Sequence, residues 1–153
     1  MSDHTGPVRF VVREAALADL PPAVLYALLR LRVEVFVVEQ RCAYAELDGR
    51  DLEPSCLHVW AQAPDGSVLA TLRVLRDTDG RGRIGRVATA AGARGAGVAG
   101  ALMRRALELL PGVDVVLDAQ AHLEHWYARF GFAASGPEFV EDAIPHVPML
   151  RSA

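Results

Sequence analysis

Several residue types and patterns are scarce in this sequence, and each scarcity excludes a class of protein. Cys42 and Cys56 are the two cysteines, too few for a disulfide framework and without the paired spacing of a zinc site. We therefore expect two reduced thiols. The net charge of −3 gives no positive field for nucleic acid or anionic lipid. No apolar run approaches the roughly 20 residues of a membrane span, and the polar start lacks the apolar segment of a signal peptide. These features predict a soluble, cytoplasmic protein.

Several catalytic motifs are missing as well. No Gly-Lys-Ser/Thr follows the glycines, which excludes a P-loop nucleotide triphosphatase. No Gly-x-Ser-x-Gly occurs, so the sequence does not predict a covalent acyl-enzyme. His122 and His125 stand three residues apart but lack a third ligand at helical spacing, and we predict no metal.

What is present predicts one α/β domain. The chain has 153 residues, of which 52% are hydrophobic and 23% charged, an ordinary balance for a single globular domain with a real core. We assign residues 1–7 to a flexible N-terminal segment and residues 8–153 to the domain.

The spacing of apolar residues predicts the order β-α-β-β-β-α-β-α-β-β. The predicted strands are 8–13, 57–63, 68–75, 83–89, 113–117, 132–134 and 147–150. The first predicted helix ends near residue 37, and the other two span 98–110 and 122–130. The fourth and fifth strands flank a crossover helix, so they should run parallel. The polar segment 39–54 is long for a connection in a compact domain, which favours a functional loop.

A glycine-rich stretch, residues 94–102, stands between the fourth strand and the second helix. Glycine lets the backbone approach a ligand closely. A helix that starts there presents unpaired N–H groups and the positive end of its dipole. The stretch therefore predicts an anion site, above all for a pyrophosphate.

Gly95, Gly97 and Gly100 also match the dinucleotide-binding fingerprint, with Asp118 in the place of a ribose-binding acid. In a Rossmann unit the first glycine follows its strand almost directly, whereas here residues 90–94 separate the strand from Gly95. Too few residues follow Gly100 to complete a Rossmann domain. These two observations argue against the hypothesis that the chain is a dinucleotide-binding protein.

Two motifs together resemble the GNAT superfamily, the acetyl-CoA-dependent N-acyltransferases. Residues 94–99 are similar to its Arg/Gln-x-x-Gly-x-Gly/Ala signature, and residues 126–132 are similar to its aromatic-Tyr-x-x-x-Gly-Phe segment. Four further stretches resemble the ElaA-type branch: 35–40, 48–51, 119–123 and 141–146. The resemblance covers roughly residues 8 to 150. It implies a GNAT fold, with a central mixed sheet of about six to seven strands, splayed between strands 4 and 5, and flanking helices.

The resemblance also implies acetyl-CoA as the acyl-donor cosubstrate. The backbone of Val87, Ala88 and Thr89 would pair with the pantetheine arm, and Gln120, where many relatives carry Asn, would bond pantetheine or backbone. Arg94 would stand at the rim of the pyrophosphate site. The pyrophosphate would be held by the backbone N–H groups of Gly95, Ala96, Gly97, Val98 and Ala99.

For the chemistry, the resemblance places Tyr127 where a phenol can protonate the departing thiolate of coenzyme A. The acceptor amine must lose a proton before it attacks, which calls for a base. We rank Glu39 first, because its segment forms the acceptor side in the superfamily, and His122 second, because it opens the helix that presents Tyr127. The other candidates are Asp48, His58, Glu141 and His146.

The implied reaction is transfer of acetyl to a primary amine of a small molecule or peptide, by direct attack in a ternary complex. The acidic residues of segment 39–54 would favour a cationic amine, although such a cluster is often only a solvated face. The alternative function is a non-catalytic acyl-CoA sensor. The oligomeric state stays open, a homodimer included.

Overall fold

The computed structural model describes residues 6–153. Most of the flexible segment predicted for residues 1–7 therefore lies outside the described residues. The strands are β1 (Val11–Ala15), β2 (Leu57–Gln62), β3 (Val68–Arg76), β4 (Gly82–Thr89), β5 (Val115–Gln120), β6 (Ala133–Ala134), β7 (Phe139–Glu141) and β8 (Ile144–Arg151). The α-helices are α1 (Pro22–Val33), α2 (Val98–Glu108) and α3 (Glu124–Ala128).

The first helix starts at the predicted prolines and changes its geometry near its end. Pro22 occupies the first turn, where the missing N–H costs nothing. From Glu34 to Glu39 the chain continues as a π-helical segment. Such wide turns are rare and occur often at functional sites.

All eight described strands belong to one mixed sheet. Its order is β1-β2-β3-β4-β5-β8-β6, and β7 pairs with β8. Strands β1 to β4 are antiparallel neighbours, while β4 and β5 run parallel. This confirms the predicted fold class and its mixed sheet, and β7 is an addition that the sequence reading missed.

The parallel pair β4–β5 is joined only at its beginning. Gly82 pairs with Val115 and Arg83 with Val116, and no further pairing follows along the remaining length of either strand. The predicted splay between strands 4 and 5 is therefore present. The Rossmann alternative is wrong, because the strands before β4 are antiparallel.

Helices cover both faces of the sheet. Neighbouring residues of β2 point to opposite faces, and Val59 belongs to the main core whereas Trp60 packs beneath α1 with Leu28. On the main-core side, α2 buries Leu102 and Met103 against the strands. Within residues 6–153, no helix is both long and apolar enough to cross a membrane.

Candidate active site

A cleft of about 1680 Å³ opens where β4 and β5 part. The glycine loop, α2, α3, the π-helical segment and the β7–β8 hairpin complete its walls. The predicted site residues that line it are Glu39, Val87, Thr89, Arg94, Gly95, Gly97, Val98, Ala99, Gln120, His122 and Tyr127. Ala88 and Ala96 are not among the residues that line the cleft.

The free edge of β4 faces this gap. On its other edge the strand pairs with β3, through Ala88 with Thr71 and Thr89 with Ala70. The register slips between these pairs and Gly85, which marks a β-bulge, and Arg86 within it has a φ of +54°. Because β5 has diverged, the backbone groups of this stretch on the gap side are available to a ligand.

The glycine loop turns the chain sharply into α2. Gly95 and Gly97 both have a φ of +76°, a left-handed conformation that other residues adopt only with strain. The amide of Ala101 donates to the carbonyl of Gly97, so the amides of the helical residues before it have no partner within the helix. This geometry suits a bound anion.

Gly100 has no such backbone requirement. It lies inside α2, and a Cβ there would meet Nη1 of Arg104 at 3.5 Å and Cζ of Phe130 at 3.6 Å, which are ordinary contacts. The third glycine of the apparent dinucleotide fingerprint is therefore a small helical residue.

Tyr127 presents a buried phenol to the cleft. The side chain is only 7% exposed, and its ring packs edge-on against Trp126 and Phe132, with centroids 4.9 and 6.5 Å away. Burial raises the pKa of Tyr127 to about 12. The hydroxyl therefore keeps its proton at neutral pH and can donate it.

Glu39 and Gln40, at the end of the π-helical segment, form hydrogen bonds with residues on opposite sides of the gap between β4 and β5. Glu39 accepts two hydrogen bonds from Arg94, at 2.8 and 2.7 Å. Gln40 and Gln120 exchange amide hydrogen bonds at 3.2 Å. Hydrogen bonding from Arg94 holds the pKa of Glu39 below its usual range, so the paired carboxylate is a weak base. Glu39, Arg94 and Gln120 thus line the cleft, with Glu39 and Arg94 bonded to each other and Gln120 bonded to Gln40.

The acidic residues of segment 39–54 form ion pairs with arginines instead of a solvated face. Arg73 holds Asp48 through two bonds of 2.8 and 2.6 Å. Arg32 is buried and bonds both Glu46, at 2.9 Å, and Asp51, at 2.7 Å. The hydrogen bonds from Arg73 hold the pKa of Asp48 well below its usual range. The loop therefore offers less attraction to a cationic amine than its composition indicates.

Beneath the loop, Asp51, Cys56 and His58 bring three potential ligand atoms within 4.8 Å of one another. All three residues are buried, and His58 does not line the cleft, which removes it as a candidate base. Arg32 and Arg73 already neutralise Asp51, and burial raises the pKa of the Cys56 thiol to about 11. These surroundings disfavour a cation.

The remaining candidate bases differ in how firmly they are held. His122 and Glu141 line the cleft but are exposed. His146, on β8, is half-buried and stacks on Phe139, with ring centroids 5.6 Å apart and planes at 19°. Its Nδ1 lies 2.8 Å from the carbonyl oxygen of Ile144. His146 is one of the candidate bases predicted from the sequence, and it lies in stretch 141–146, which resembles the ElaA-type branch.

Comparison with known proteins agrees with this geometry. The Acetyltransferase (GNAT) domain family matches residues 27–152. A UPF0039 protein of Mycobacterium tuberculosis is 48% identical over 143 residues, which cover 92% of each chain. Protein ElaA of Escherichia coli is 40% identical over 140 residues, covering 88% of this chain and 91% of that protein.

Two solved structures are similar over nearly the whole chain. An acyl-CoA N-acyltransferase from Pseudomonas aeruginosa superposes with a TM-score of 0.88 at 45% identity, covering 94% of this chain and 100% of that one. Escherichia coli ElaA superposes with a TM-score of 0.87 at 37% identity and the same coverage. The chain therefore belongs to the GNAT acetyltransferase family and is a homologue of ElaA.

Proposed function

We propose that the protein is an acetyl-CoA-dependent N-acetyltransferase that acylates a primary amine by direct attack in a ternary complex. The observation that carries the proposal is that a free strand edge, a glycine loop at a helix start and a buried phenol line one cleft. These three features suit the pantetheine amides, the pyrophosphate and the thioester sulfur of acetyl-CoA respectively. The general reaction of the family supports it.

The coenzyme would lie along the gap between β4 and β5. Its pantetheine amides would pair with the free backbone of Val87, Ala88 and Thr89, much as an added strand would. The backbone amides from Gly95 to Ala99 would hold the pyrophosphate at the start of α2. Gly95 and Gly97 let the chain adopt the left-handed turn that aims these amides at one point.

Tyr127 would act when the thioester breaks. Attack by the amine nitrogen on the carbonyl carbon gives a tetrahedral intermediate, and the carbon–sulfur bond then cleaves. The departing thiolate takes the phenolic proton and leaves as free coenzyme A. Burial raises the pKa of Tyr127 to about 12. The phenol therefore still carries its proton at neutral and mildly basic pH, where part of the acceptor amine is uncharged.

The acceptor would be a primary amine of a small molecule or a peptide, entering between the π-helical segment and the β7–β8 hairpin. These elements line the cleft and lie outside the stretches proposed to hold the coenzyme. The second candidate function is an acyl-CoA sensor without turnover. The buried, proton-bearing Tyr127 favours the enzyme over the sensor. The cytoplasmic location and a homodimer stay predictions of the sequence.

Replacing Tyr127 with Phe tests the proposal. Phe preserves the ring that packs on Trp126 and Phe132 and removes only the proton donor. We expect kcat, measured as release of free coenzyme A over a panel of primary amines, to fall about 10²- to 10⁴-fold. The affinity for acetyl-CoA should stay unchanged.

The matched control is Tyr26→Phe, which alters a tyrosine on α1 that is 72% exposed and should leave kcat intact. Unchanged turnover in Tyr127→Phe would remove the acid role from Tyr127. Retained binding of acetyl-CoA by the wild type, without turnover on any amine, would establish the sensor instead.

A further inference from the structure

The proposed transferase needs a group that removes a proton from the acceptor ammonium, and the structure separates the candidates sharply. Glu39 is held by Arg94 and Asp48 by Arg73, each through two hydrogen bonds. His58 is buried away from the cleft. Three cleft-lining candidates are left: His122, Glu141 and His146.

Of these three, His146 has a side chain whose hydrogen-bonding direction is fixed. Its Nδ1 is 2.8 Å from the carbonyl oxygen of Ile144. A carbonyl can only accept, so Nδ1 carries the hydrogen and the neutral ring has its lone pair on Nε2. Stacking on Phe139, at 5.6 Å and 19°, restrains the plane of the ring. The imidazole is thus oriented as a proton acceptor before any substrate binds.

The sheet also places His146 beside the coenzyme side of the cleft. His146 pairs directly with Gln120 of β5 and with Phe139 of β7. Residues directly opposite in an antiparallel pair project from the same face, with Cβ atoms about 4.5–5.5 Å apart. The ring therefore stands next to Gln120, the residue that bridges to Gln40 across the cleft.

We infer that His146 is the general base of the transferase, accepting the acceptor's proton at Nε2. The ammonium passes one proton to Nε2, and the resulting amine attacks the thioester carbonyl carbon. When the carbon–sulfur bond breaks, Tyr127 gives its proton to the thiolate. The second proton of the former ammonium, lost as the amide forms, restores the phenol, and the imidazolium releases its proton to water. This inference rests on the proposed function.

Charged groups on the elements around His146 bear on any pH dependence. Glu141 and Asp142 lie on its own hairpin, and both line the cleft. On β5, Asp118 is 3.5 Å from Arg83, and on the π-helical segment Glu39 is paired with Arg94. His122 lines the cleft from the segment that follows β5. A loss of activity assigned to His146 must therefore follow the replacement of His146 and of none of these groups.

The test compares two acceptors that differ in their need for a base. An alkylamine such as n-butylamine is protonated at pH 7.5 and needs one, whereas hydroxylamine is largely neutral there and does not. In His146→Gln we expect kcat/KM for n-butylamine to fall at least about 100-fold and that for hydroxylamine to stay within about threefold. In the variant, kcat/KM for n-butylamine should follow only the fraction of neutral amine, which keeps rising up to the pKa of an alkylammonium at about 10.4.

The control is His125→Gln, on the exposed side of α3 outside the cleft, which should leave both reactions unchanged. Equal losses with both acceptors would make His146 structural, and transfer of the whole effect to His122→Gln would make His122 the base; either result overturns the inference while the transferase stands. Failure of the wild type with both acceptors would overturn the proposed function itself, and the base with it. Acetyl-CoA binding by His146→Gln, measured by calorimetry, verifies its fold.

Discussion

At the scale of single residues, the ion pair between Glu39 and Arg94 places a carboxylate where the coenzyme's pyrophosphate should bind. Both side chains are nearly half exposed, at 46% and 44%. In Glu39→Gln the coenzyme no longer competes with a carboxylate for the guanidinium. We therefore expect acetyl-CoA to bind about two- to fivefold more tightly, as fits the small worth of an exposed ion pair. Isothermal titration calorimetry measures this directly.

The matched control for this prediction is Glu34→Gln, which removes a carboxylate at the other end of the same π-helical segment, paired with Arg30. It should not change the affinity. The same variant pair separates two roles for Glu39. If Glu39 only competes for Arg94, Glu39→Gln leaves kcat unchanged. If Glu39 is the base, the same change lowers kcat about 100-fold or more.

Patterns among neighbouring residues predicted part of what lines the cleft. The glycine loop and Tyr127 are read from neighbouring letters, and the structure brings both to one cleft. The pairing of Glu39 with Arg94 spans 55 positions and that of Gln40 with Gln120 spans 80. No local spacing signals such pairs, so the engagement of Glu39, Arg94 and Gln120 could not be predicted without the fold.

At the scale of elements, segment 39–54 is held to the sheet by buried charge. Arg32 on α1 is 1% exposed and depends on Asp51 and Glu46 for its partners. Removing one partner of a buried ion pair leaves a charge uncompensated, at a cost of about 3–5 kcal/mol. We expect Asp51→Asn to lower the free energy of unfolding by about 3 kcal/mol, measured by urea denaturation.

Acid should weaken the same network. Burial raises the pKa of Asp51, but the hydrogen bonds and charge of Arg32 outweigh that effect and leave the pKa below its ordinary value. A carboxyl with a lowered folded-state pKa stabilises the protein above its unfolded-state pKa, and that stability is lost as the pH falls further. The wild type should therefore lose stability below about pH 4, and Asp51→Asn should lose less.

Asp79→Asn is the control for both measurements, because its ion pair with Arg81 is 51% and 43% exposed. It should change the free energy of unfolding by less than about 0.5 kcal/mol. A loss as small in Asp51→Asn would mean that the loop does not depend on buried charge. The sequence predicted a functional or solvated loop here, because the arginines that neutralise it come from α1 and β3, 14 to 25 positions away.

At the scale of the whole molecule, the order of strands and helices followed from alternation and helical spacing, and the crossover around α2 required the parallel pair. The sequence did not predict β7. Its hairpin turns at Asp142 and Ala143, which have φ values of +50° and +65°, in place of the Asn-Gly or Asp-Gly that marks such turns. That missed hairpin fixes the position of His146, so the sequence predicted His146 as a candidate base without a reason to rank it above the others.

Among the described strands, β4 and β5 form the one parallel pair. Backbone pairing between β4 and β5 stops after Arg83 and Val116, so the half before the gap and the half after it share few hydrogen bonds there. A ligand that runs through the gap should join both halves. At a concentration of 100 times its Kd, acetyl-CoA should add about 2.7 kcal/mol, or roughly 5–10 °C in Tm. Acetyl-pantetheine, which lacks the pyrophosphate, should stabilise much less, and NAD should not stabilise at all.

Hydrogen exchange distinguishes this arrangement from binding at the loop alone. Peptides covering residues 82–89 and 115–120 should both gain protection with acetyl-CoA, because the pantetheine arm occupies the gap that separates them. The glycine loop at 94–99 should gain it as well. Protection confined to the loop would place the pyrophosphate correctly but leave the acetyl group outside the cleft, where neither Tyr127 nor His146 could reach it.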